Sequence, residues 1–112
     1  MALFIDARIP VVLADRVAVT ASDAVLLEGD AAAPPLAAAV GRLGAAPAPH
    51  PAGCVCCLPR GKAAEALGRL FLARVRGEVR FFERVVACVQ DRDAVLAALA
   101  DDALVAARFR LA

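Results

Sequence analysis

The chain has 112 residues, 13 Lys and Arg against 12 Asp and Glu, and a formal net charge of +1. That length makes one domain, residues 1–112, with a single core, and the near-neutral balance without a basic block gives no support for nucleic acid as a partner. Hydrophobic residues make up 62%, yet Arg or Asp interrupts every apolar run before the roughly 20 residues of a bilayer span, so no membrane partner is expected.

Met1 to Pro10 lacks a basic region followed by a long apolar run and a small-residue cleavage site, which makes the cytoplasm the expected location. Ile9 to Ala14 and Ala24 to Leu27 are short runs of Val, Ile and Leu bounded by Asp, and predict buried strands. Val17 to Thr20 is a weaker strand candidate. Pro34-Pro35 can open a helix through Leu36, Val40 and Leu43 that stops at Gly44. Ala45 to Gly53 carries Pro47, Pro49 and Pro51 around His50 and predicts a surface connection.

From about Gly61 to Arg76, Leu67, Phe71 and Val75 recur every four residues with Ala63 and Leu70 beside them, and Glu65 and Arg69 form an i,i+4 pair outside. An amphipathic helix ending at Gly77 follows, with that stripe as core or dimer interface and Arg69, Arg74, Arg76 and Arg80 on a solvated face. Phe81 to Val89 predicts a strand covered by helices on both faces, since Val85 to Val89 does not alternate. Asp91 or Asp93 can cap a helix through Ala100, and Asp101-Asp102 a last segment through Leu104, Val105 and Phe109. Strands alternating with helices predict a small three-layer α/β domain with a mainly parallel sheet.

The chemistry concentrates at Gly53-Cys54-Val55-Cys56-Cys57. Thiolates are soft donors for zinc and related ions, and Cys54 and Cys56 project to one side if the backbone is extended. Pro59 can begin a helix whose positive end lowers nearby thiol pKa values. The plainer alternative is three small buried hydrophobes. Three ligands are one short of a closed tetrahedral zinc site, and His50, four residues before Cys54, is a candidate for the fourth, against a solvated loop histidine. Cys88, near the carboxyl end of its strand, is a further candidate, against a buried thiol. With no export signal, reduced thiols and metal or redox chemistry are expected rather than a disulfide framework.

Gly53-Cys54-Val55-Cys56-Cys57, followed by Arg60-Gly61 and Glu65-Ala66-Leu67, resembles the Gly-Cys-x-Cys-Cys segment of the CobW-type GTPase and metallochaperone family. Phe82-Glu83-Arg84-Val85-Val86, Val95-Leu96 and Ala107-Arg108-Phe109-Arg110-Leu111 are similar to segments further along that family's domain. The resemblance spans about Gly53 to Leu111. It implies a reduced P-loop-type α/β domain binding a transition metal, zinc or cobalt, through Cys54, Cys56 and Cys57.

The departures are as informative. A phosphate-binding loop needs Gly-x-x-x-x-Gly-Lys followed by Ser or Thr, whereas here Gly61-Lys62 is followed by Ala63 and Cys56 stands at the first glycine place. Cys88-Val89-Gln90 stands where the family has Glu-Thr-Thr, and no Asn-Lys-x-Asp follows. The expected function is therefore a non-enzymatic metal-binding protein without GTP hydrolysis. The alternatives are a homodimeric interaction module that keeps its cysteines from an ancestor, and a thiol redox sensor using Cys56 with Cys54 or Cys57. A homo-oligomer is expected because a parallel sheet needs its faces and edges covered.

Overall fold

The computed structural model describes residues 6–14, 19–44 and 61–112. They form strands β1 (Ile9–Leu13), β2 (Asp23–Glu28) and β3 (Ala39–Leu43), helix α1 (Lys62–Arg76), strand β4 (Arg84–Ala87), helices α2 (Arg92–Asp101) and α3 (Ala103–Arg108), and strand β5 (Phe109–Leu111). All the strand pairings are parallel, in the order β3-β2-β4-β1-β5. The predicted α/β class and parallel sheet are what the chain forms.

The strand order explains the layers. The connections from β1 to β2 and from β2 to β3 step toward the β3 edge, whereas α1, then α2 with α3, step back toward β5. Crossovers of one hand must place opposite steps on opposite faces. Accordingly, the helices cover one face, packing Ala63, Ala64, Leu67, Leu70, Val95, Ala98 and Val105 on Ile9, Val11, Ala24, Leu26, Val85 and Ala87. Val19, Ala14, Ala33 and Ala37 of the other connections pack with Val25, Leu27 and Val86 on the second face. Both faces of the central strands are thus buried, which is why β2 and β4 read as continuous apolar runs, but among the described residues connecting segments rather than the expected helices cover the second face.

The stripe of α1 differs from the predicted one. Ala63, Ala64, Ala66, Leu67 and Leu70 are its buried residues, Phe71 is half-buried edge-on to the Phe109 ring at 6.2 Å, and Val75 is 65% exposed. Two spacings of i+4 overshoot two full turns by about 80°, so a stripe drawn through every fourth residue leaves the core face by its third member. Arg74 leaves the solvated face assigned to it, whereas Arg80 stays exposed and hydrogen-bonded. Arg74 Nε donates to the Phe82 carbonyl at 2.9 Å with its guanidinium 4.0 Å from the Phe81 ring centre, and Arg80 Nη2 donates to the carbonyls of Leu36 and Ala37 at 3.2 Å. Gly77, left-handed, ends the helix as predicted.

Three local expectations are corrected. Residues 34–44 are not a helix: after a turn at Pro35 and Leu36 the chain becomes β3. Gly41 and β-branched Val40 weaken a helix, and pairing along the open side of β2 satisfies the backbone instead. Val19 and Thr20 are not strand, and Val17 lies outside the described residues. Phe109 does not end a helix but begins β5, where it sits opposite Ile9 and is buried against the helices. The β4 strand is also shorter than Phe81 to Val89.

At the amino end of the sheet, Asp23 and Arg84 are register partners on β2 and β4. Arg84 Nε donates to Asp23 Oδ1 at 2.8 Å and Nη2 to Oδ2 at 3.0 Å, while the Thr20 N–H and hydroxyl donate to Oδ2 at 2.8 and 3.1 Å. Asp23 is the buried charged residue of the described core, 3% exposed. The Arg84 hydrogen bonds, foremost, hold its carboxyl below the ordinary carboxylate range despite burial.

Candidate functional site

In an open parallel sheet, ligand sites fall outside the carboxyl ends of the strands. That end is built from Ala14, Glu28, Gly44, Cys88 and the first turns of α1 and α2. Two glycines with positive φ stand there as the anchors of residues 45–60: Gly44 (φ 76°), after β3, and Gly61 (φ 85°), the N-cap of α1. Such φ values are strained for any residue with a Cβ. Gly61 has no side chain to cap the helix, so the first N–H groups of α1 receive no side-chain acceptor from it.

Between the start of α1 and the length of α2 runs a groove of about 530 Å³, lined by Gly61, Lys62, Ala63, Ala64, Ala94, Ala97, Ala98, Asp101 and Asp102. Its floor is alanine and its rim carries Lys62 at one side and Asp101 and Asp102 at the other. Lys62 is exposed on the first turn of α1. Asp102 accepts from the N–H groups of Leu104 and Val105 and so caps α3.

Sequence reasoning did not single out Glu28. It closes β2, and its two carboxylate oxygens accept from the N–H groups of Gln90 at 2.7 Å and Asp91 at 3.1 Å, 62 and 63 residues away. Asp91 in turn accepts from Ala94 N–H at 3.2 Å and caps α2. The β4–α2 turn is thereby fixed to the end of β2 by a carboxylate on two backbone donors. The available signal was an acidic residue ending an apolar run directly before Gly29-Asp30.

Cys88 follows β4 at this end. Its N–H donates to the Leu26 carbonyl at 2.9 Å, which carries the β2–β4 ladder one residue past the strand, and its half-buried Sγ lies 3.9 Å from the Val86 carbonyl. It packs beside Val25, Leu27 and Val86, on the face away from the helices. Cys54, Cys56, Cys57 and His50 lie outside the described residues. Among the described residues no three of His, Cys, Asp and Glu gather as a metal-binding set. No helix among them is long and apolar enough to cross a membrane.

Comparison of the chain with protein-family models, with curated proteins and with solved structures found no match.

Proposed function

We propose that this protein binds and hands on a transition metal, zinc or cobalt, through Cys54, Cys56 and Cys57, and that it does so without hydrolysing a nucleotide. The observation that carries this is the Gly53-Cys54-Val55-Cys56-Cys57 sequence on a segment whose two anchors, Gly44 and Gly61, stand at the carboxyl end of a parallel sheet. Three thiolates satisfy most of the coordination of a zinc or cobalt ion and leave a position for water, which favours exchange over structural bracing. The lack of a Gly-Lys-Ser or Gly-Lys-Thr phosphate loop supports a metal cycle with no nucleotide switch.

Metal analysis of tagless protein, wild type against a variant with Cys54, Cys56 and Cys57 all changed to Ser, tests this. One zinc or cobalt per chain in the wild type against none in the variant is the expected outcome. Equal metal in both proteins means the cysteines are not the ligands. Cys88→Ser, in a residue that packs beside the second face, keeps the metal. His50→Ala lowers affinity only if His50 closes the site.

A further inference from the structure

Strand β3 is the last strand at one edge of the sheet, and among the described residues no strand pairs with its outer side. An edge of this kind presents unpaired N–H and C=O groups, and proteins commonly blunt it with a proline, a bulge or a charge pointing inward. The β3 sequence, Ala39-Val40-Gly41-Arg42-Leu43, has no proline, and its one charged side chain, Arg42, turns away to donate to the carbonyls of Gly29 and Ala31 at 3.0 and 2.7 Å. Val40 is left 41% exposed.

Alongside this edge, on the helix face, a groove of about 310 Å³ runs between β3 and α1. It exists because the residues along it are small. Gly41 has no side chain, and a Cβ there would lie 2.9 Å from Leu70 Cδ1, so α1 sits down on β3 at that point. Ala66 and Ala73 leave the helix side open, and Leu70 and Val79 complete an apolar floor. The charged residues lining it are Arg42 and Arg69, with no carboxylate among the lining residues. Arg69 reaches Glu65 only at 3.5 Å, with both side chains largely exposed, and so keeps most of its charge available to a partner.

We propose that the β3 edge binds an extended acidic peptide segment of a partner protein by strand addition. The peptide backbone pairs with 39–43, one apolar side chain enters the groove beside Gly41, and a carboxylate two residues along, on the same face of the peptide, pairs with Arg69. Strand addition of this sort takes affinity from main-chain hydrogen bonds and specificity from pockets for alternate side chains. A second copy of this chain fits less well. Two-fold pairing of β3 with itself puts α1 of both chains on one face of the joined sheet, with Arg69 toward the seam from each side, and like charges so placed repel. Five residues also make an edge of only about 17 Å, which suits a short peptide better than the interface of a stable dimer. This inference does not depend on the cysteine segment.

The probe is the fluorescein-labelled pentapeptide Glu-Ser-Val-Ser-Glu, which keeps valine and both glutamates on one face of an extended strand, against one with lysine in place of glutamate. Anisotropy on the full chain is expected to show the glutamate peptide binding at least about tenfold more tightly, with the preference falling as salt rises. Arg69→Glu, on an exposed helix position, removes the preference. Ala73→Phe fills the groove and weakens the glutamate peptide by about tenfold with an unchanged circular dichroism spectrum. Amide exchange over 39–43 slows in the complex. Equal affinity for the two peptides overturns the proposal, as does binding that leaves 39–43 unprotected. A concentration-dependent dimer that protects 39–43 without peptide also overturns it and identifies the second copy as the occupant.

Discussion

Replacing Asp23 by alanine removes the carboxylate that Arg84 and Thr20 share. Four donors lose their acceptor: Arg84 Nε and Nη2, the Thr20 N–H and the Thr20 hydroxyl. Removing one member of a fully buried pair costs about 3–5 kcal/mol, because the survivor is left charged and dry. Here the Arg84 side chain is 36% exposed, so water takes up part of the guanidinium and the cost is discounted to about 2–3 kcal/mol. At about 4 °C per kcal/mol for a chain of this size, the melting temperature should fall by about 8–12 °C. Asp23→Asn keeps an acceptor and the volume, and should fall by about half as much.

The pH dependence has a definite sign. A carboxyl whose folded pKa lies below its unfolded value stabilises the fold above the unfolded value and loses that contribution as pH falls through the folded one. Asp23 is shifted downward, first by its hydrogen bonds from Arg84. The lead of wild type over Asp23→Asn should therefore hold at neutral pH and shrink below about pH 4. Asp6, lowered to about 2 chiefly by its side-chain hydrogen bonding with Arg8, titrates in the same range in both proteins and cancels in the difference. Urea unfolding of the two proteins across that range is the assay. A cost of Asp23→Ala below about 0.5 kcal/mol, or a lead that stays constant into strong acid, would refute this account of the pair.

Glu28→Ala should free the Gln90 and Asp91 amides, seen as faster hydrogen exchange at those two positions with the Asp23 end of the sheet unchanged, and a modest loss of stability of about 1–2 kcal/mol. Gly41→Val should destabilise by about 1–3 kcal/mol through overpacking, since Leu70 and Leu26 side chains stand 2.9 and 3.2 Å from the new Cβ; unchanged unfolding would contradict the close seating of α1 on β3. Zinc affinity should weaken as pH drops, because each thiol must lose a proton before it binds, and a chelator competition flat in pH would speak against cysteine ligands. Calorimetry with GTP and magnesium should show no heat of binding, and micromolar affinity would contradict the proposed nucleotide-free cycle.

Elements whose apolar pattern is local were legible in the sequence. The runs at Ile9 and Ala24, the helix up to Gly77 and an aspartate cap for α2, at Asp91 or Asp93, followed from period, run length and capping chemistry. Residues 34–44 were not legible, because an alanine-rich stretch after two prolines reads as helix until the unpaired side of β2 claims it. Nor was β5, whose three residues carry too little pattern to separate from the preceding helix. Contacts made by polar side chains across the fold leave the least trace. Asp23 finds Arg84 61 residues away and Glu28 finds Gln90 62 residues away, and only the strand order brings each pair together. For the candidate site, Cys88 could be placed near the carboxyl end of its strand from sequence, since it stands next to last in the non-alternating run Val85 to Val89, whereas the groove beside α2 depends on how two helices pack.

The most direct test of metal binding by Cys54, Cys56 and Cys57 is X-ray absorption at the zinc edge on zinc-loaded protein. The expected spectrum fits three sulfur ligands at about 2.3 Å, with a fourth lighter ligand from water or His50, and that sulfur shell is lost when the three cysteines are changed to serine. A first shell of nitrogen and oxygen alone, or a sulfur shell that survives the triple substitution, would contradict it.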